Sequence, residues 1–229
     1  MKRAEFQEYK LNMINRFKDI LADHEPGYCD EQGLPSYTNP NPMMRWLTWK
    51  RVNVILSAIG SRKTINSTLD FGCGYGVFIP YLLTCSKSTV AFDLMIAELK
   101  SLGDSLGWEN ISYLSDINAL NDKNGSFDLI LAIEVLEHID DLEGTIKRFY
   151  DLLEPGGRLL IAGPTENFLY KTGRKLAGYS GEYHMRNIYA IRTVVEKIFR
   201  PRKIAAILPV FTFYEVYECV KEQKYLINN

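Results

Sequence analysis

The chain has 229 residues, of which 46% are hydrophobic and 24% are charged, and its formal net charge is −1. This composition is typical of a globular domain with a sizeable core and excludes a disordered or fibrous chain. The near-zero charge gives no general electrostatic reason to bind nucleic acid. The four cysteines are scattered and include no CxxC pair, which favours reduced thiols over a disulfide framework or a zinc cluster.

The N-terminal stretch MKRAEFQEYKLNMINRFKDIL is too charged for a signal peptide, and no apolar run is long enough to span a bilayer. We therefore expect a cytoplasmic protein. Peripheral membrane contact through aromatic residues such as Trp46 stays open as an alternative to their packing in the core or in a pocket.

Two amphipathic helices are predicted in the first sixty residues. Apolar side chains recur every three or four positions from Phe6 to Ile20, which predicts a helix over roughly the first twenty residues. Residues 23 to 42 are rich in proline, glycine and asparagine and predict a loop. A second helix is expected to begin near Pro42, with Trp46, Trp49 and following apolar residues as its stripe.

From residue 67 onwards, short apolar runs alternate with helical patterns. The predicted strands are Thr68–Phe71, Thr89–Phe92, Ile111–Leu114, Phe127–Ile133 and Arg158–Ala162. The helices predicted between them are Gly76–Thr84, Leu94–Leu106 and Leu142–Leu153. This alternation predicts a doubly wound α/β domain with a mostly parallel sheet. Ligands of such sheets bind beyond the carboxyl ends of the strands.

The residues that follow these strands carry the chemistry. The first strand runs into LDFGCGYG, in which three alternate glycines allow a tight turn and a close approach of backbone to a ligand. The next two strands end at Asp93 and just before Asp116, and the fourth leads into EVLEH. A carboxylate at Asp93 can accept hydrogen bonds from ribose hydroxyls. A lone aspartate is more often a cap or turn residue, so the joint occurrence is what carries the interpretation.

These pieces, in this order, resemble the motifs of class I S-adenosylmethionine methyltransferases. They are LDFGCGYG, Asp93, Asp116, FDLILAIEVLEHI and LLEPGGRLLI. The resemblance is closest to the small-molecule branch that includes ubiquinone-biosynthesis O-methyltransferases. It implies a Rossmann-like sheet of seven strands whose last strand is antiparallel, with Phe211–Val220 as the candidate. It also implies that residues 61–229 form the cofactor-binding domain and that the helices within residues 1–60 form a lid on the acceptor side.

The resemblance further implies which residues bind S-adenosyl-L-methionine and its product, S-adenosyl-L-homocysteine. The glycine loop would line the methionine part, Asp93 would bind the ribose, and Asp116 and Ile117 would contact the adenine. Glu134 and Val135 would lie beside the cofactor. The complete predicted set is Asp70, Gly72, Cys73, Gly74, Gly76, Asp93, Leu94, Asp116, Ile117, Glu134 and Val135.

Methyl transfer to a hydroxyl needs an aligned acceptor and a group that takes its proton. His138 and His184 are the candidate catalytic bases, because histidine titrates near neutrality and each follows a predicted strand. The alternative is that His138 packs at a helix start and His184 is an ordinary loop residue. A second resemblance is to the ligand set of metal-dependent O-methyltransferases, and it involves Glu134, Glu137, His138 and His184. We predict no metal site, and a bound divalent ion is the alternative.

Residues 171–203 contain nine lysines and arginines against two glutamates, within a predicted acceptor-side segment 163–203. This predicts a small-molecule acceptor that is anionic, such as a sugar phosphate or a lipid precursor. The alternative is a solvated basic helix around Arg192–Lys203. Other acceptors (nucleic acid or protein), a nicotinamide oxidoreductase and a non-catalytic cofactor-binding scaffold also remain open. The sequence specifies neither the accepting atom nor the oligomeric state.

Overall fold

A computed structural model of the chain describes residues 2–25, 27–29, 33–60, 65–165, 186–207 and 213–222. Seven α-helices and seven β-strands lie within these ranges. The helices are α1 (Arg3–Ala22), α2 (Leu34–Thr38), α3 (Pro42–Ile59), α4 (Ile79–Cys85), α5 (Ala97–Ser105), α6 (Leu142–Leu152) and α7 (Ile188–Val195). The strands are β1 (Ile65–Phe71), β2 (Ser86–Phe92), β3 (Ile111–Leu114), β4 (Phe127–Ile133), β5 (Leu153–Pro164), β6 (Arg202–Ile207) and β7 (Tyr214–Val220).

The seven strands form one sheet in the order β3-β2-β1-β4-β5-β7-β6. Strands β1 to β5 pair in parallel, whereas β7 runs antiparallel to both β5 and β6. The chain order reverses between β1 and β4, which is where open α/β sheets bind their ligands. The predicted α/β class and the antiparallel last strand are confirmed; within the predicted span Phe211–Val220, positions 211 and 212 lie outside the described residues.

Both faces of the sheet are covered, because alternate residues of the central strands point to opposite sides. In β4, Leu129 and Leu131 pack into a core shared with α1, α3, α4 and α5. Ile130 and Ala132 pack into a second core with α6 and α7. The helices of residues 1–60 therefore contribute to the same core as the sheet.

The N-terminal helices begin where the sequence supplies caps. Asn41 accepts hydrogen bonds from the backbone N–H groups of Met43 and Met44, and Pro42 occupies a first-turn position where no N–H donor is needed. Within the stretch predicted as loop, the structure adds the short helix α2. Leu34, at the start of α2, is 1% exposed. Its burial stabilises this helix, although the composition of the segment favours turns.

Several predicted helix boundaries were wrong, for local reasons. Helix α4 begins at Ile79 rather than Gly76, because Gly76 has a left-handed backbone (φ +72°). Helix α5 begins at Ala97 rather than Leu94, since the Asp93 carboxylate binds the Met95 N–H in a turn.

The alternative of a solvated basic helix around Arg192–Lys203 is wrong in its extent, because only Arg192 of those cations lies in a helix. Helix α7 already begins after Asn187, whose side chain accepts from the Tyr189 N–H at 3.1 Å, and it ends at Val195. Pro201 disfavours helical backbone at the residue before it and lacks an N–H donor of its own. The chain accordingly passes into β6 at Arg202.

Arg158, on β5, joins the C-terminal end of α3 to β7. Its side chain is 2% exposed and donates to the carbonyl groups of Ala58 (3.1 Å) and Ile59 (3.3 Å) at the end of α3. The same guanidinium pairs with Glu218 of β7 at 3.2 Å. A cation at this position satisfies carbonyls that have no partner within the helix and complements the helix dipole.

Replacing Arg158 with methionine should destabilise the protein by about 3 kcal/mol, because the α3 carbonyls and Glu218 lose a buried charged partner. The measurement is the free energy of unfolding in urea. Lys197→Met is the matched control, since Lys197 and Glu143 form an exposed pair whose loss should cost less than about 0.5 kcal/mol. Equal effects of the two substitutions would contradict this role of Arg158.

Candidate functional site

The predicted site residues line up along the carboxyl edge of the sheet. Because the strand order there is β3-β2-β1-β4, the residues that follow these strands succeed one another in space. The order along the edge is Asp116 after β3, Asp93 after β2, the glycine loop after β1, and Glu134 after β4. The fold thus brings together four segments, of which the most distant, at Gly72 and Glu134, are 62 positions apart in the chain.

The glycine loop has a backbone that only glycine adopts without strain. Gly72, Gly74 and Gly76 all have positive φ angles, of 75°, 50° and 72°. A Cβ atom at Gly72 would collide with the Val135 side chain, and one at Gly76 would lie 2.6 Å from a methyl of Leu99. The N–H groups of Gly72 and Cys73 both bind the Phe92 carbonyl, at 2.8 and 3.1 Å, so the end of β2 fixes the loop. The Cys73 side chain is itself buried, which leaves the backbone of the loop to face a ligand.

Asp93 holds the glycine loop from the neighbouring strand. One carboxylate oxygen accepts the Gly74 N–H at 2.9 Å, and the other accepts the Met95 N–H at 3.0 Å. These hydrogen bonds orient a partly exposed carboxylate at the sheet edge. Each oxygen of Asp93 uses one lone pair to hold the backbone of the loop or turn. The other lone pairs can accept hydrogen bonds from the hydroxyls of a ligand.

An apolar rim surrounds the outer part of this edge. Leu94 is 81% exposed, Met95 46% and Ile117 38%, and all three follow neighbouring strands, so apolar surface is concentrated at this edge. Asp116, beside them, accepts the Asn118 N–H at 2.9 Å and caps a short 3₁₀ helix, Ile117–Leu120. An adenine ring offers both apolar faces and an amino group, so these residues fit the predicted adenine contacts.

Asp70 lies under the loop at the end of β1. Its side chain is 2% exposed, and its Oδ2 atom has no hydrogen-bond partner among the residues that the structure describes. Burial, and to a smaller extent the Asp93 carboxylate, raises the pKa of Asp70 to about 7 from its ordinary 3.8. A cationic ligand such as an ammonium group would stabilise the ionised form of this buried acid.

Glu134 and Val135 close the edge at β4. Glu134 has a left-handed backbone (φ 55°), rare for a residue with a side chain and costly unless the fold enforces it. Its carboxylate accepts a hydrogen bond from Arg51 of α3. Partial burial raises the pKa of Glu134, and the Arg51 guanidinium opposes this shift. Val135 packs against Gly72, so Glu134 lies directly beside the glycine loop.

The two candidate bases are placed differently. His138 ends a single 3₁₀ turn (Leu136–His138), where its N–H binds the Val135 carbonyl at 3.1 Å and its side chain is exposed. His184 lies outside the described residues. Glu137 is fully buried. Within the described ranges no three His, Cys, Asp or Glu side chains come together as a metal site, and the fourth member of the resembled ligand set, His184, is not among them.

Sequence reasoning missed the groups that the N-terminal helices bring to the edge. Arg51 lies over the Tyr214 ring at 4.9 Å, in addition to its contact with Glu134. Tyr28 donates to Glu98 at 2.9 Å, and the Tyr9 hydroxyl binds the Val77 carbonyl just past the glycine loop. One sequence signal for Arg51 existed, namely a charge at the margin of the apolar stripe of α3, but nothing in the sequence identified its partners.

The cationic side chains in the described part of the basic segment form ion pairs or hydrogen bonds within the protein. Arg192 pairs with Glu196, and Lys197 with Glu143. The remaining ion pairs are Arg200–Glu222, Arg202–Glu218 and Lys203–Glu215. Arg186 donates to the Ile139 carbonyl. Positions 171, 174 and 175, which hold the other three cations, lie outside the described residues, so an anionic acceptor remains a prediction.

Comparison with known proteins identifies relatives of both sequence and fold. The profile of the family described as "Methyltransferase domain" matches residues 45–208. Over 100 residues, the chain is 32% identical to the ubiquinone biosynthesis O-methyltransferase of Chelativorans sp. (strain BNC1), covering 41% of this chain and 38% of that protein. It is 35% identical over 100 residues to the mitochondrial ubiquinone biosynthesis O-methyltransferase of Rattus norvegicus, covering 41% of this chain and 29% of that protein.

Among solved structures, the fold is similar to the N-methyltransferase NodS from Bradyrhizobium japonicum WM9 in complex with S-adenosyl-L-homocysteine. The TM-score is 0.60 at 18% identity, covering 91% of this chain and 98% of NodS. This likeness confirms the predicted Rossmann-like fold. No helix in the described ranges is both long and apolar enough to span a bilayer.

The buried Asp70 predicts a pH dependence of stability in the ligand-free protein. The folded state keeps the Asp70 proton up to about pH 7, whereas the unfolded chain releases it near its ordinary pKa of 3.8. Stability therefore falls as the pH rises from about 4 to about 7, because the unfolded state binds fewer protons over that window. Asp70→Asn should flatten this part of the curve, measured as the thermal midpoint against pH. Asp122→Asn, on an exposed loop, should retain the wild-type curve. Parallel curves for wild type and Asp70→Asn would contradict the assigned protonation.

Proposed function

The chain belongs to the methyltransferase domain family, and we propose that it transfers a methyl group from S-adenosyl-L-methionine to a hydroxyl of a small-molecule acceptor. The chain spans 38% and 29% of the length of the two curated relatives above, so its own activity has to be argued from its site. S-adenosyl-L-homocysteine would be the other product.

The observation that carries the proposal is the left-handed glycine loop fixed by Asp93. Gly72, Gly74 and Gly76 have positive φ angles, and a Cβ at Gly72 or Gly76 would collide with Val135 or Leu99. Asp93 spans this loop and the adjoining turn. Asp70 supplies a buried carboxylate below the loop, and Ile117 an exposed apolar face. Carboxylates for ammonium and ribose and apolar side chains for adenine match the parts of S-adenosylmethionine.

The antiparallel β7 also argues against a nicotinamide oxidoreductase. Dinucleotide-binding sheets have the strand order 3-2-1-4-5-6 and a GxGxxG turn that binds a pyrophosphate. Here β7 is inserted antiparallel between β5 and β6, and the glycines have the spacing GxGxG.

When bound, S-adenosylmethionine supplies a methyl group on a sulfonium, whose leaving group is a neutral thioether. The chain has to align the acceptor with that methyl and take up the acceptor's proton. We assign the lid role to the helices of residues 1–60, since α3 carries Arg51 to the edge beside Glu134. His138 and His184 remain the candidate proton acceptors, and a small anionic molecule remains the proposed acceptor class.

A direct test is the release of S-adenosylhomocysteine with a panel of acceptors. We expect turnover with a hydroxylated probe, either 3,4-dihydroxybenzoate or glycerol 3-phosphate, and not with the amine O-phosphoethanolamine. Asp93→Ala should raise the KM for S-adenosylmethionine at least about tenfold, because it removes charged hydrogen bonds to both loop and ligand.

Asp122→Ala is the matched control, because it removes an exposed carboxylate from a loop outside the site and should leave this KM unchanged. Turnover that is insensitive to Asp93→Ala would place the cofactor elsewhere, and absence of turnover with the whole panel would contradict the proposed acceptor class.

A further inference from the structure

Tyr214 is a buried residue whose hydroxyl has no hydrogen-bond partner among the described residues. It is the first residue of β7, opposite Pro164 of β5 and Ile207 of β6, which places it at the carboxyl edge of the sheet. Its side chain is only 2% exposed. Buried hydroxyls nearly always have a partner, and leaving one unsatisfied is costly, so this position needs an explanation.

Tyr214 belongs to the core that the sheet shares with α3, and charged groups also lie against it. The Arg51 guanidinium lies 4.9 Å from the ring centroid and donates to Glu134. Burial raises the pKa of Tyr214 well above its ordinary 10, and the charges of Glu134, Arg51 and Glu137 also act on it. The phenol therefore keeps its proton at neutral pH and is a hydrogen-bond donor.

This donor is linked by direct contacts to the place where the methyl group is expected. Arg51 bridges Tyr214 and Glu134, and Val135, the next residue in the chain, packs against Gly72 of the glycine loop. A molecule between the glycine loop and β7 would thus have the Tyr214 hydroxyl on one side and the Glu134 carboxylate on another.

We propose that the Tyr214 hydroxyl binds the methyl acceptor by donating a hydrogen bond to the oxygen that is methylated, an assignment that rests on the proposed function. A hydroxyl acceptor can accept a hydrogen bond from Tyr214 and donate one to Glu134, so it satisfies both groups at once. An ammonium group has no lone pair and would leave Tyr214 unsatisfied. The Tyr214–Glu134 pair therefore selects hydroxyl over amine acceptors.

The test is the kinetics of Tyr214→Phe on the hydroxylated probe that the wild type methylates, 3,4-dihydroxybenzoate or glycerol 3-phosphate. Loss of one hydrogen bond to the acceptor should raise the acceptor KM about 5- to 30-fold. The KM for S-adenosylmethionine should not change. The thermal midpoint of the ligand-free variant should equal or exceed that of the wild type, because the substitution removes a buried hydroxyl that has no hydrogen-bond partner there.

Tyr113→Phe is the matched control. The Tyr113 hydroxyl is also buried without a hydrogen-bond partner in the described part of the chain, but it packs against Gly103 of α5, at the other end of the sheet. This variant should leave both KM values unchanged. An unchanged acceptor KM in Tyr214→Phe, or equal rises in both KM values with a lower thermal midpoint, would overturn the assignment.

The remaining outcomes separate this assignment from the proposed function. Methylation of O-phosphoethanolamine alone would overturn the hydroxyl selection by Tyr214 while leaving methyltransferase activity in place. A wild type that binds S-adenosylmethionine but methylates none of the three probes would contradict the proposed acceptor class, and the assignment of Tyr214 with it.

Discussion

The turn that follows β1 depends on the strand beside it. Three left-handed glycines would be a flexible segment by themselves, since glycine loses more conformational freedom on ordering than any other residue. The Phe92 carbonyl binds two N–H groups of the turn, and the Asp93 carboxylate binds a third. Because β1 and β2 pair in parallel, both of these acceptors arrive at the same edge as the turn itself. The preformed loop therefore follows from the parallel register of two central strands.

Charge at this edge is held by groups that come from distant parts of the chain. Asp70 is buried by the sheet and by the helices that cover it, and this burial raises its pKa to about 7. Glu134 keeps a strained backbone and is matched by Arg51 from α3. Arg158 anchors the end of that same helix to β5 and β7, so the helix that carries Arg51 is held by a buried ion pair at its C-terminal end. Stability and the arrangement of the site are thus linked through one helix.

The elements with strong periodicity were predictable from sequence. Strands Ile111–Leu114 and Phe127–Ile133 have the predicted bounds, because runs of four to seven residues flanked by turn residues are too short for typical helices. The meeting of the predicted site residues at one edge of the sheet was predictable as well, since Asp93, Asp116 and Glu134 each follow a predicted strand. Helix α2 and the start of α5 were not, because burial of Leu34 and a side-chain hydrogen bond of Asp93 determine them.

The acceptor side was the least predictable. Arg51 and Tyr214 are more than 160 positions apart in the chain, and neither belongs to a motif. Their contact depends on how α3 packs over β7, which is a property of the whole fold. The local charge predicted an anionic acceptor, with a basic helix around Arg192–Lys203 as the alternative, but the helix ends at Val195 and a strand begins at Arg202. Lys197 and Lys203 pair with acids on other elements, and Arg192 pairs with Glu196 four residues further on. Local composition thus predicted that this segment is basic, but not which acidic residues its side chains contact.

Calorimetric titration of the wild-type protein with S-adenosylmethionine and with NADH tests the central claim most directly. The account predicts saturable one-to-one binding of S-adenosylmethionine, because the glycine loop, Asp70 and Asp93 complement its ammonium and ribose, and no binding of NADH. Binding of NADH, or absence of S-adenosylmethionine binding by a folded protein, would contradict it.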